Sequence, residues 1–231
     1  MPVDASDTRT KLLDAAARGF AEHGVFNASL LDITRRAGQR NRGALHYHFG
    51  SREGVLCAVL ERQVDFLARR EGELREKAAA QPDDDVESVV EAIVRPAAEL
   101  AESGSQGRYF LLILAELIEE DPASLDPDVQ AVLARTGGEP VYELLASRMA
   151  AVSPEVRVER LALITMFILR AVADRARTRG RRARRGRPQL DHEAFVRNLV
   201  AMVAAAVCVP APGAARAPTR RTASTRGRGR A

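Results

Sequence analysis

The chain has 231 residues, 46% of them hydrophobic, 4% aromatic and 29% charged, with a formal net charge of +4. This length accommodates a small module of ~50 residues beside a larger helical partner, and the abundance of Ala, Leu and Arg favours an all-α fold with no sheet of consequence. The charge is segregated: residues 57–174 carry 23 acidic against 12 basic side chains, and residues 175–231 carry 15 basic against two acidic, so DNA is not expected to lie along the acidic middle.

Taken in chain order, the first predicted helix runs from about Thr8 to His23, because Leu13, Ala16, Ala17 and Phe20 recur at helical spacing and Gly24 can end it. Ser29-Leu30-Leu31-Asp32 has the form of a capping box, with Ile33 and Ala37 facing inward behind it. After Gly38, a four-residue turn through Gln39, Arg40 and Asn41 leads to a third short helix from about Arg42 to Phe49, with Asn41 as its N-cap. Gly50 and Ser51 break and re-cap the chain. A long amphipathic helix then follows to about Ala79.

Beyond the 81–85 loop, helices are expected near Val86–Glu102, Arg108–Glu120, Pro127–Ala151 with a break at Gly137-Gly138, Pro154–Arg177 and Asp191–Val209. The count is about nine. The expected partition is a helix-turn-helix domain over 1–54, a helical domain over 55–209 and a disordered basic tail over 210–231. A segment with eight arginines, 175–187, is too dense in charge to fold on itself. Cys57 and Cys208 have no Cys/His spacing around them and read as two free core thiols. The first residues lack an export pattern, and the longest apolar run, 199–209, is shorter than the ~18 residues of a membrane span. A cytoplasmic protein with no membrane partner is expected.

Two short helices joined by a glycine-containing turn and braced by a third form a helix-turn-helix between Ser29 and Phe49. Ile33, Ala37, Leu45 and Phe49 must bury to fix the helix angle, which turns Arg40, Arg42, Gly43, His46 and Tyr47 outward. A guanidinium can pair bidentately with guanine, and Gly43 lets the backbone approach the bases. His46 and His48 lie on different sides of a helix and cannot share one metal ion, so neither a metal nor another cofactor is expected.

The string Thr10 to Leu56, above all Ile33-Thr34-Arg35-Arg36-Ala37-Gly38 followed by Ala44-Leu45-His46-Tyr47-His48-Phe49-Gly50-Ser51-Arg52-Glu53, closely resembles the N-terminal domain of TetR-family regulators. The resemblance implies base contacts from Arg42, Gly43 and His46 and backbone contacts from Ser29, Tyr47, His48 and Arg52. His46 stands where the family usually has Tyr, and the turn is one residue longer than usual.

The resemblance also implies a homodimer on a palindromic double-stranded DNA operator, paired through the last two helices. Two apolar stripes are assigned to that interface, with a face of the protomer's own core as the alternative reading: Leu161, Ile164, Ile168 and Val172, and Phe195, Leu199, Met202 and Val203. The run Tyr109–Ala115 is apolar on every side and is placed at the domain centre; Tyr109, Phe110, Ile113, Met166 and Phe167 are pocket candidates for a small apolar or amphipathic effector, although core packing is the stronger reading of each one singly. A ligand-released repressor is the leading reading. An effector-independent regulator or activator is the second. A helical-bundle enzyme is the distant third, since the chain shows no paired catalytic groups, phosphate loop or nucleophile elbow.

Overall fold

The computed structural model describes residues 5–149, 152–180 and 189–210. Residues 181–188 of the arginine-rich segment and 211–231 of the tail lie outside the described residues, and so do those two expectations. Among the described residues the protein is built from ten α-helices, one more than expected, with one 3-10 turn and no strand.

Helix α1 (Ala5–His23) starts three residues earlier than its apolar pattern suggested and buries Leu12, Leu13, Ala16, Ala17 and Phe20 along one face. Helix α2 (Leu30–Arg36) crosses it where Gly19 allows close approach: a side chain begun at Gly19 would meet Ile33 at 2.7 Å. Helix α3 (Ala44–Phe49) and the start of α4 (Arg52–Ala79) close this small core with Ala44, Leu45, Val55 and Leu56. The expected boundary at 54–55 falls inside the first turn of α4, which therefore belongs to both halves of the molecule.

The larger half is centred on α5 (Val86–Glu102), which packs against α4, α6 (Ser105–Leu117), α8 (Gly138–Arg148), α9 (Pro154–Gly180) and α10 (His192–Cys208). Val89, Val90, Ala92, Val94, Ala98 and Ala101 of α5 are fully buried. The sequence put α6 in that place. Helix α6 is well buried too, through Phe110, Leu111, Ile113 and Leu117, but it also packs on α1, so it joins the two halves. The expected 127–151 helix does break, into α7 (Pro127–Ala134) and α8. Arg148 of α8 donates to the carbonyls of Ala78, Gln81 and Asp85, fastening the loop between α4 and α5. Arg70 forms a two-pronged pair with Glu99 at 2.8 Å, joining α4 to α5.

Candidate nucleic-acid interface

The turn before α3 is set by local backbone chemistry. The Gly38 and Gln39 N–H groups bond the Arg35 and Thr34 carbonyls at 3.0 and 3.1 Å, a Schellman ending for α2 that requires the left-handed φ of +73° found at Gly38. Asn41 then accepts the Gly43 N–H on its own side-chain oxygen at 2.9 Å, so it shapes the turn rather than capping the helix. Helix α3 begins two residues later than expected, with Gly43 as its N-cap. This puts Arg42 and Gly43 in the turn at the mouth of α3. Half of the expected capping box forms at Ser29, whose hydroxyl oxygen accepts the Asp32 N–H at 3.2 Å, while the Asp32 carboxylate pairs with Arg35.

Ala44 and Leu45 are buried, and His46 and Tyr47 are turned outward, Tyr47 being 83% exposed. Phe49, expected in the core, is half-buried, with the Arg9 guanidinium of α1 stacked 5.0 Å from its ring centre. His48 is also half-buried, edge-on to Tyr47 at 5.1 Å. The cations around this surface divide into two kinds. Arg35 and Arg36 are paired with Asp32 and Glu22 at 3.2 and 3.1 Å, and the Arg18 hydrogen bond holds Glu22 below the usual carboxylate range. Exposed Arg40 and Arg42 have no hydrogen bond or ion pair among the described residues. Unpaired guanidinium groups beside an exposed Tyr and His form a donor-rich surface suited to phosphate and base edges.

Arg52 is placed differently from the expected backbone clamp. Its two terminal nitrogens each donate at 2.8 Å to the Val25 and Ala28 carbonyls of the α1–α2 loop. Val25 and Ala28 lie between α1 and α2, outside both helical ladders, so their carbonyls take a side-chain donor instead. Glu116 of α6 grips the same loop by accepting the Val25 N–H at 2.9 Å. The sequence could not indicate this contact, since Glu116 and Val25 are 91 residues apart.

The expected interface and pocket residues separate in space. Ile164, Ile168, Val172, Leu199 and Val203 are buried in the protomer's own core, and Leu161 and Phe195 pack against it, leaving Met202 as the one exposed member of the two stripes. The outward apolar residues of α9 and α10 are instead Val158, Leu163, Met166, Phe167 and Met202, with Val209 just past the end of α10. The pocket candidates do not converge either. Phe110 and Ile113 fill the core and Tyr109 is half-buried beside it, Met166 lines an open cleft of about 350 Å³, and Phe167 lines a separate groove of about 410 Å³ between α9 and α10.

Comparison with known proteins places this geometry. Residues 12–59 match the family described as "Bacterial regulatory proteins, tetR family". Residues 91–206, half of the chain, match "Tetracyclin repressor-like, C-terminal domain". The chain belongs to the TetR family. Like the family's other members it is a DNA-binding transcriptional regulator and not an enzyme. Among curated TetR-family proteins it is 44% identical to the HTH-type transcriptional regulator SrpR of Pseudomonas putida over 57 residues, 25% of this chain and 26% of that one. It is 34% identical to the HTH-type transcriptional dual regulator CecR of Shigella flexneri over 98 residues, 41% and 43% of the two chains. These alignments span less than half the length of either relative. The fatty acid degradation regulator FadR from Bacillus halodurans shares the fold, with a TM-score of 0.52 at 17% identity over 84% of this chain and 97% of that one.

Two expectations outside the TetR reading head are corrected. Cys208 is exposed, and Cys57 is only partly buried, although burial with Asp128, Asp126 and Glu61 nearby still pushes its thiol up to about 11. Arg175, counted with the arginine-rich segment, is almost fully buried, 4.4 Å from the Phe195 ring centre and 3.4 Å from the Glu102 carboxylate. No described helix is long and apolar enough to cross a membrane.

Proposed function

We propose that the protein is a cytoplasmic homodimeric repressor that reads a palindromic operator through Arg42, Gly43 and His46 and is released by a small, largely apolar molecule. The observation that carries the DNA contacts is that Arg42, in the turn that opens α3, has no ion pair or hydrogen bond among the described residues while Tyr47 of α3 stands 83% exposed, so a free guanidinium and a phenol are both presented to a partner. Ser29, Tyr47 and His48 supply phosphate contacts, and Arg52 holds the loop that orients them. The division into a reading head over 1–54, an effector and dimerisation domain over 55–209 and a basic tail belongs to the same proposal.

Dimerisation is supported by the exposed apolar residues Val158, Leu163, Met166, Phe167 and Met202 of the adjacent helices α9 and α10, with Val209 just beyond, which a second copy could cover across a two-fold axis. Selection from random duplex DNA tests the reading, and a palindromic site with half-sites one helical turn apart, ~34–36 Å, is the expected outcome. A second reading, regulation or activation without an effector, draws on Phe110 and Ile113 filling the core where a pocket was expected. It predicts that no compound shifts operator affinity.

A further inference from the structure

Phe110 and Ile113 fill the centre of the larger half, but a cavity of about 290 Å³ opens at the seam between the two halves. Its walls are the α1–α2 loop, the start of α4, the end of α6, and α7 with the 3-10 turn (Pro122–Ser124) before it. The floor is apolar: Val25, Leu56, Leu117 and Val129 line the cavity and are each at most 4% exposed. Phe26 stands at the rim with its side chain half exposed, and three charged residues join it there, Arg52, Glu53 and Asp126. The one cation is already engaged, since both terminal nitrogens of Arg52 donate to loop carbonyls. The field over the cavity is therefore set by the acids. Residues 109–134, which include the α6 and α7 walls, hold six acidic and no basic side chains. On the neighbouring turn of α4, burial and then Asp128 and Asp126 push the Cys57 thiol up to about 11.

We propose that this seam cavity is the effector site and that it takes a small aromatic molecule bearing a protonated amine. The proposal rests on the small-molecule reading above and gives it a place and a chemical class. The ring lies on the apolar floor, and the ammonium stays at the rim beside Phe26, Glu53 and Asp126. An exposed aromatic ring and two carboxylates at one rim attract an organic cation in two independent ways, through the ring quadrupole and through charge. The place also supplies the link to DNA. Val25 is gripped by Glu116 through its N–H and by Arg52 through its carbonyl, and the loop that it begins ends at Ser29, the N-cap of α2. A molecule that touches Val25 and Phe26 binds with an affinity that depends on where the loop stands. Ligand and operator favour different loop positions, so occupancy releases the DNA, and by linkage the operator weakens the ligand by the same factor.

The test uses the full-length protein, its selected operator duplex and three indoles: tryptamine, 3-methylindole and indole-3-propionate. At neutral pH they carry a positive, no and a negative charge on one ring system. Calorimetry is expected to show tryptamine binding about tenfold more tightly than 3-methylindole, with indole-3-propionate the weakest, and tryptamine is expected to lower operator affinity. The double variant Glu53→Gln, Asp126→Asn is expected to erase the preference for tryptamine over 3-methylindole, and Asn at 126 still caps α7. Phe26→Ala, at an exposed position, is expected to weaken tryptamine while circular dichroism shows the helices intact. No tryptamine binding, no ranking by charge, a preference that survives the double variant, or binding that leaves operator affinity unchanged overturns the proposal. If an indole whose affinity ignores all three substitutions still loosens operator binding, the small-molecule reading stands and only the seam assignment fails.

Discussion

At the scale of single residues, Arg42 and Arg52, ten positions apart in the same motif, have opposite surroundings. Arg42 has no partner among the described residues, so Arg42→Ala is expected to leave the melting temperature unchanged and weaken operator binding by about 1–3 kcal/mol, with relaxed preference at one base position. Arg52 is anchored to the Val25 and Ala28 carbonyls. Arg52→Met is therefore expected to cost about 2–3 kcal/mol of folding stability, seen in urea unfolding, because it leaves two carbonyls without their charged donor. The discriminating measurement is the salt dependence of operator binding. Losing a phosphate clamp reduces the slope by about 0.9 per contact, whereas losing the loop anchor leaves the slope unchanged. The family resemblance assigned Arg42 to bases and Arg52 to the DNA backbone. It could not show that Arg52 anchors the protein's own loop, because what Arg52 touches is set by where the α1–α2 loop lies in space.

Glu71 gives the residue scale its pH dependence. Its carboxyl is pushed up to about 8 in the folded protein by burial, above the ~4.3 of an unfolded glutamate. The folded state therefore holds a proton that the unfolded state gives up, so this residue's contribution to stability is fully present below about pH 4 and declines as pH rises, levelling off above about pH 8. The difference in unfolding free energy between wild type and Glu71→Gln is expected to shift in favour of Gln by about 1.4 kcal/mol per pH unit across that window. A pH-independent difference would show that Glu71 titrates normally.

At the scale of elements, the reading head depends on how tightly α3 is folded back onto the start of α4. The carbonyl of Phe49, at the end of α3, would lie only 2.1 Å from a side chain begun at Gly54, and this contact is with rigid backbone. Gly54→Ala is expected to displace α3 from α4 at a cost of at least about 1–3 kcal/mol, lowering the melting temperature and operator affinity together. The order of the helices and most of their ends were legible, since apolar spacing and the capping signals at Ser29, Ser51 and Gly38 are local. The start of α3 was not. Asn41 can cap a helix or turn the chain, and its oxygen's choice of the Gly43 N–H decides between them.

At the scale of the whole molecule, the sequence showed that α9 and α10 each carry an apolar stripe but not which stripe leaves the protomer. Both helices have apolar residues on two faces, so Ile164 and Ile168 share helical spacing with the outward pair Leu163 and Met166. Only the position of α5 and α6 decides that the first pair is covered. The two faces predict different failures. Leu163 is 51% exposed in the protomer and Ile168 only 1%. Leu163→Glu, combined with Met202→Glu, is expected to yield a folded monomer in sedimentation, with melting independent of protein concentration, since a charge on an exposed face costs the protomer little. Ile168→Glu places an unpaired carboxylate in the core and is expected to unfold the protein or lower its stability by several kcal/mol. The monomeric variant retains one reading head, so its contacts with phosphate are halved and the salt slope of its operator binding falls to about half that of the wild type. If the double variant remains a dimer with an unchanged slope, the two copies meet through some other surface than the outward stripe of α9 and α10.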